Sequence, residues 1–243
     1  MYEPRKYRDL FRGENLVYFN CLVKDTDIQV GANRLMDREV RSAVLKYREQ
    51  IEEYARANPE FLVSLSPIQA KPWAPLIVKR MCWAGEIAGV GPMAAVAGAL
   101  SEFVGREMLE NWYTREIIVE NGGDIFLKSD LPRTVCIYAG TSPLSNILTI
   151  EVRPEDTPIG ICTSAGTVGH SLSFGNADAA VVLAKDCALA DAVATALGNR
   201  AVRPQDLENA VSFALGIEGV VGAMVIMGDR MAAAGELRLV RAM

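Results

Sequence analysis

Residues 161–197 read ICTSAGTVGHSLSFGNADAAVVLAKDCALADAVATAL, and the way this stretch divides decides the fold. Ala179 to Ala184 is an unbroken apolar run of strand length, which predicts a buried strand. Cys187 to Leu197 predicts a helix. Ahead of them lies a loop of Gly, Ser and Thr that carries His170, the single histidine of the chain. In the helix, Asp191 and Thr195 stand four residues apart and so project from one face. A carboxylate and a hydroxyl one turn apart offer two hard oxygen ligands, a set suited to Mg2+ or Ca2+. The same spacing serves a solvated aspartate beside a threonine packed through its methyl, and spacing alone leaves both readings open.

Upstream, Asn15 to Lys24 alternates with Val17, Phe19, Cys21 and Val23 on one side, which predicts a strand. Ile28 to Val30 returns after a turn as its hairpin partner. Asn33 is placed to cap a helix running to Ala57, with Met36, Val40, Val44, Tyr47, Ile51 and Tyr54 inward. Ser64 to Pro75 holds three prolines and reads as an irregular connection. Gly89-Val90-Gly91 followed by Pro92 opens a helix reaching about Leu109. Its start presents free N–H groups, an anion site in the making; its small residues equally allow close helix–sheet packing.

Glu116 to Val119 is a β-branched run that breaks at Glu120-Asn121-Gly122-Gly123-Asp124 and resumes as Ile125-Phe126-Leu127. Two glycines between strand halves mark a bulge, or a place where a ligand meets the backbone. Thr134 to Tyr138, Ile147 to Val152 and Pro158 to Cys162 predict further strands, and Pro204 starts another amphipathic helix. Val220 to Met227 and Leu237 to Val240 read as a closing hairpin. The whole predicts an α+β fold, mixed and mostly antiparallel sheets packed with helices, in one domain over residues 1–243.

Half of the 243 residues are hydrophobic and the formal net charge is −5, so no basic excess exists to neutralise phosphates and nucleic acid is not the expected partner. Five cysteines with no CxxC pair suit a reducing compartment. Without an apolar h-region at the start, or a run of roughly 18 apolar residues, a cytoplasmic protein off the membrane is expected. High apolar content and the small-residue run predict a homo-oligomer. No GxSxG, HExxH, GxxxxGK(S/T) or strand-linked GxGxxG occurs. A Cys162–His170 nucleophile pair has nothing in the sequence to orient it. What remains is glycine-rich backbone, hydroxyls, one imidazole and the Asp191/Thr195 pair, an inventory for a polyphosphate ligand with a divalent cation.

ENGGDIFL at 120–127, ICTSAGTVGH at 161–170 and ALADAVATAL at 188–197 occur in the order and approximate spacing of the ApbE superfamily of FAD-binding flavin transferases. AGVGPMAAVAGALSEFVG, ENGGDI and TSAGTVGHSLSFGNADA resemble more closely its short branch from archaea and anaerobic bacteria. The resemblance spans about Val30 to Met227. It implies an ApbE-like fold, with FAD and Mg2+ as cofactors and FMN transfer to an acceptor protein as the activity. It places the metal on Asp191 and Thr195, which match the family's AD-x-x-x-T helix. It places FAD against Gly122, Gly123 and Asp124, with Thr163, Ser164 and Gly166 standing for the family's Thr-Ser-Gly turn. Gly91 stands at the family's A-K-G helix entrance, here without the lysine. His170 matches the histidine that opens the H-x-x-D-P-x-T-G box, whose remainder is missing, and is the expected catalytic base. Two alternatives stand beside transferase: a non-catalytic flavin or nucleotide binder, and an accessory protein in anaerobic sulfur assimilation to homocysteine.

Overall fold

The computed structural model describes residues 15–111, 113–166 and 174–242. Its frame is an eight-stranded sheet in the order β1-β2-β3-β4-β7-β8-β9-β10, paired antiparallel throughout. These strands are β1 (Val17–Val23), β2 (Thr26–Ala32), β3 (Ile117–Asn121), β4 (Asp124–Lys128), β7 (Ile159–Ser164), β8 (Ala179–Ala184), β9 (Val220–Met227) and β10 (Arg230–Gly235). A three-stranded sheet pairs β5 (Arg133–Cys136), β6 (Leu148–Val152) and β11 (Arg238–Arg241) in the order β11-β6-β5.

Strand alternation sets the layers. Along β4, β7, β8 and β9, one set of side chains (Ile125, Leu127, Ile159, Ile161, Val181 and Ile226 among them) meets Val135, Ile150 and Val152 of the small sheet and Ile137 just after β5. The alternate set, including Phe126, Cys162, Ala180, Val182 and Val225, packs against the helices on the other face. β8 is buried at all six positions, as its unbroken apolar run requires.

The helical layer comprises α1 (Asp37–Ala57), the short α2 (Glu60–Val63), α3 (Leu76–Ala88), α4 (Val96–Glu110), α5 (Cys187–Arg200) and α6 (Leu207–Leu215). A 3-10 turn over Pro92–Ala95 precedes α4, so the proline opens a tighter turn than the helix expected at 92. Val40, Val44, Ile51 and Tyr54 of α1 are buried, following their 3.6-residue period. Among the described residues, no single helix is long and apolar enough to cross a membrane.

Three local readings change. Asn33 does not cap α1, whose N-cap is Met36. The Asn33 side chain instead accepts from the Glu116 N–H at 3.0 Å and the Thr114 hydroxyl at 2.9 Å, tying the end of β2 to the start of β3. Asn121 pairs with Asp124 across Gly122-Gly123, so the two glycines form a tight hairpin turn and no bulge. Their φ values of 71° and 105° lie where a Cβ is strained, which is why this turn takes glycine. Finally, the hairpin partner of β9 is β10; the segment after Gly235 leaves for the small sheet and pairs β11 with β6.

Candidate functional site

The site forms where α5 meets the ends of β4 and β7. Antiparallel pairing of Ile125 with Ile161 brings the Gly122-Gly123 turn and Asp124 beside Thr163 and Ser164. A Cβ placed on Gly123 would touch the Thr163 carbonyl at 3.7 Å, so turn and strand end are in van der Waals contact. The turn is braced by the Gly123 N–H donating to Glu120 Oε1 at 2.8 Å, and Asp124 by the Ser101 hydroxyl donating to its carbonyl at 3.1 Å.

α5 is seated by its N-terminus. Asp186 caps it by accepting from the Leu189 N–H at 2.8 Å, and buried Glu102 accepts from the Cys187 N–H at 2.6 Å. From Cys187 to Gly198 every residue is buried except Asp191 and Thr195, both half-buried. Asn199 continues this stripe one turn further and accepts from the Phe174 N–H at 2.9 Å. Apart from the exposed Arg200 in its last turn, α5 thus carries one polar line, Asp191–Thr195–Asn199, along an apolar helix.

α4 closes on α5 through Gly98. A Cβ there would lie 2.3 Å from the Cys187 carbonyl oxygen and 2.8 Å from Asp191 Cβ, so only glycine admits this approach. Its N–H donates to Asp191 Oδ2 at 2.8 Å, and the Ala97 N–H helps stabilise the same carboxylate. The free N–H groups expected at this helix start are therefore directed at Asp191, which itself supplies the anion.

Two carboxyl groups are pushed toward their protonated forms. Asp124 is raised well above the ordinary aspartate range, first by burial and then by the negative charge of Asp191. Glu120 adds to the repulsion, while the Cys162 thiol and the Thr163 N–H offset part of it. Burial raises Asp191 to about 7 despite its helix-terminal hydrogen bonds. Asp124 Oδ1 and Ser164 Oγ are both buried and have no hydrogen-bond partner among the described residues. A divalent cation resolves each of these tensions: it neutralises the repulsion and supplies a partner for the orphaned oxygen. Two carboxylates with hydroxyl oxygens form a hard set, so the residues fit Mg2+ or a similar ion. No cluster of three or more His, Cys, Asp or Glu side chains suited to a metal occurs among the described residues, so an ion held by this pair would need hydroxyl or ligand oxygens to complete its shell.

The structure thus brings Gly122, Gly123, Asp124, Thr163, Ser164 and Asp191 together, with Thr195 one turn along the same helix face. Gly166 closes the loop beyond β7, its N–H donating to the Ala177 carbonyl at 2.8 Å. Gly91 sits at the entry to the 3-10 turn, where a Cβ would strike the Ser64 carbonyl oxygen at 1.8 Å. Its missing side chain thus has a packing reason. His170 lies outside the described residues. Sequence reasoning missed the contact Gly98 makes, Ser101, and the pairing of Cys162 with Cys187, whose sulfurs are 3.6 Å apart. Of these only Gly98 had a signal, as a member of the small-residue run.

A family model described as AbpE bacteria matches residues 8–233. The chain belongs to this family. It is an ApbE-like superfamily member, as its motifs suggested. It is 47% identical over 193 residues to a UPF0280 protein of Methanococcus aeolicus, covering 78% of this chain and 77% of that one. A UPF0280 protein of Methanocella arvoryzae is 43% identical over 221 residues, covering 90% and 89%. Among solved structures, the ApbE protein of Thermotoga maritima superposes with a TM-score of 0.64 at 11% identity, covering 90% of this chain and 97% of that one. A mutant flavin transferase ApbE of Vibrio cholerae gives 0.60 at 13% identity, with 90% and 97% covered. This ApbE-like family member therefore shares their α+β fold of helices and mostly antiparallel sheets.

Proposed function

We propose that this protein binds FAD together with Mg2+ and cleaves the FAD pyrophosphate to transfer FMN to a hydroxyl of an acceptor protein. The observation that carries the proposal is the closeness of two carboxyl groups, buried Asp124 and half-buried Asp191, with the charge of Asp191 bearing on Asp124, whose buried Oδ1 has no hydrogen-bond partner among the described residues. Asp191, Thr195 and Asp124 would hold the ion. The Gly122-Gly123 turn and the Thr163–Ser164 strand end would lie against the flavin nucleotide. The likeness in fold to solved flavin transferases supports the flavin half of the proposal. A bound Mg2+ would offset charge on the pyrophosphate and polarise its phosphoryl oxygens.

In the transfer, the acceptor oxygen forms a bond to the FMN phosphorus, the bond to the AMP oxygen breaks, and AMP leaves. The hydroxyl proton passes to a base, for which His170 is the one imidazole in the chain. The test is AMP release from FAD with Mg2+ and threonine-bearing acceptor peptides. Wild type releases AMP; His170→Ala keeps FAD affinity and loses about 10²-fold or more in turnover. Tight FAD binding with no AMP under any acceptor overturns the transferase and leaves a binding protein.

A further inference from the structure

α3 turns one face to solvent. Ile77, Val78, Met81, Cys82 and Ala88 are buried on its inner side. Leu76, Lys79, Arg80, Trp83, Glu86 and Ile87 are exposed, and at about 3.6 residues per turn they fall within an arc of roughly 120°. Leu76, Trp83 and Ile87 run along the middle of that arc, 70%, 37% and 44% exposed. Single exposed apolar side chains are ordinary, but three aligned on one helix, with a tryptophan among them, form a seam of the kind that interfaces use.

The charges beside the seam say what fits it. Arg80 borders one side and is already engaged, its guanidinium 4.8 Å from the centre of the Trp83 ring and its Nε 3.2 Å from Asp186, the N-cap of α5. Lys79 and Glu86 border the other side, about two turns apart. Neither makes an ion pair among the described residues. Both also oppose the dipole of their own helix. Lys79 is the fourth residue of α3, toward its positive pole, and Glu86 the third from its end, toward its negative pole. A second α3 running the opposite way supplies what each lacks: an opposite charge and the opposite pole.

We propose that a second copy of this chain covers this face, the two α3 helices antiparallel about a two-fold axis beside Trp83. Such symmetry sets each border of one helix against the same border of the other. Lys79 then comes level with Glu86 of the second copy, Trp83 with its counterpart and Leu76 with Ile87, to within about 3 Å of axial rise. A parallel pair would instead set Lys79 beside Lys79 and Glu86 beside Glu86. The interface is independent of the flavin reading. Sedimentation velocity of the full chain over about 1–100 µM tests it, the range suited to a small interface. Wild type reaches twice the 26.4 kDa chain mass. Trp83→Glu and Leu76→Glu, both at exposed positions, keep the circular dichroism of wild type and sediment at the chain mass. Lys79→Glu and Glu86→Lys each weaken dimerisation about tenfold, because symmetry repeats the like-charge contact. An equimolar mixture of those two variants regains wild-type association, since every contact across the mixed pair is again of opposite charge. Three results overturn the proposal. One is wild type at the chain mass throughout, whether or not it floats with phosphatidylcholine–phosphatidylglycerol vesicles, where flotation would make the seam a membrane face. The second is a dimer retained by folded Trp83→Glu and Leu76→Glu, and the third a mixture that associates no better than either charge variant alone.

Discussion

Asp124 and Asp191 are held close in a place that suits neither charge without a counter-ion. Removing one charge while keeping its shape is therefore informative. Without added cation at pH 8, Asp124→Asn is expected to melt at a temperature equal to or above that of wild type, because it removes a buried repulsion. With Mg2+ the order reverses, since wild type gains stability by mass action and the variant loses most of that gain. Differential scanning calorimetry with and without Mg2+ reads both; a variant that melts lower than wild type in both conditions would remove the repulsion from the account. Asp191→Asn is expected to abolish the gain and Thr195→Ala only to reduce it, the carboxylate being the stronger ligand. Gly98→Ala forces a Cβ against the Cys187 carbonyl and is expected to cost about 1–3 kcal/mol in denaturant unfolding. A neutral result there would mean that α4 and α5 yield more easily than their contact suggests.

Among the elements, α5 makes stability depend on pH through Asp191. Its carboxyl titrates at about 7 in the folded chain against an ordinary 3.8, so between those values the native state binds more protons than the unfolded. The stabilisation is fully present below pH 3.8 and is lost as pH rises through about 7. Glu116, ahead of β3, acts the other way. Burial raises its carboxyl, but hydrogen bonds from Ser129, Arg133, the Asp130 N–H and Asn33 outweigh that and hold it at about 2. Its contribution is present above its ordinary 4.5 and is lost as pH falls toward 2. Chemical unfolding of the cation-free protein is therefore expected to show maximal stability near about pH 4, where Glu116 is ionised and Asp191 still protonated, moving to higher pH when Mg2+ is added. An optimum that does not move with Mg2+ would contradict the coupling of Asp191 to the ion. That α5 presents Asp191 and Thr195 on one line was readable, since they are the polar residues of an otherwise apolar 187–197. That α4 delivers its N–H groups to Asp191 was not, because nothing local in AAVAGAL says which helix its glycine faces. Asn33 misled for a related reason: its oxygen fits a helix cap, but a partner 83 residues away competed better for it.

At the scale of the molecule, the two sheets are joined at one edge by charge as well as by aliphatic packing. Arg133 opens β5 in the small sheet and reaches Glu116, just before β3 of the large one, at 2.8 Å, with both side chains under one tenth exposed. Arg133→Met leaves a buried carboxylate unpaired and is expected to cost about 3–5 kcal/mol. Urea unfolding checks it, and a loss near zero would mean that the apolar contact between sheets suffices. The layered α+β class followed from alternation in the strands and period in the helices, both local. The pairing of β11 with β6 did not, because a strand that leaves one sheet for another is decided by which edge is open. The proposed flavin-nucleotide site lies where three such long-range decisions meet, at β4, β7 and α5. The measurement that tests it most directly is FAD affinity by equilibrium dialysis with and without Mg2+, for wild type and for Asp191→Asn. The account predicts that Mg2+ tightens FAD binding to wild type about tenfold or more and leaves the variant unchanged; FAD bound equally with or without Mg2+, or equally by both proteins, would contradict it.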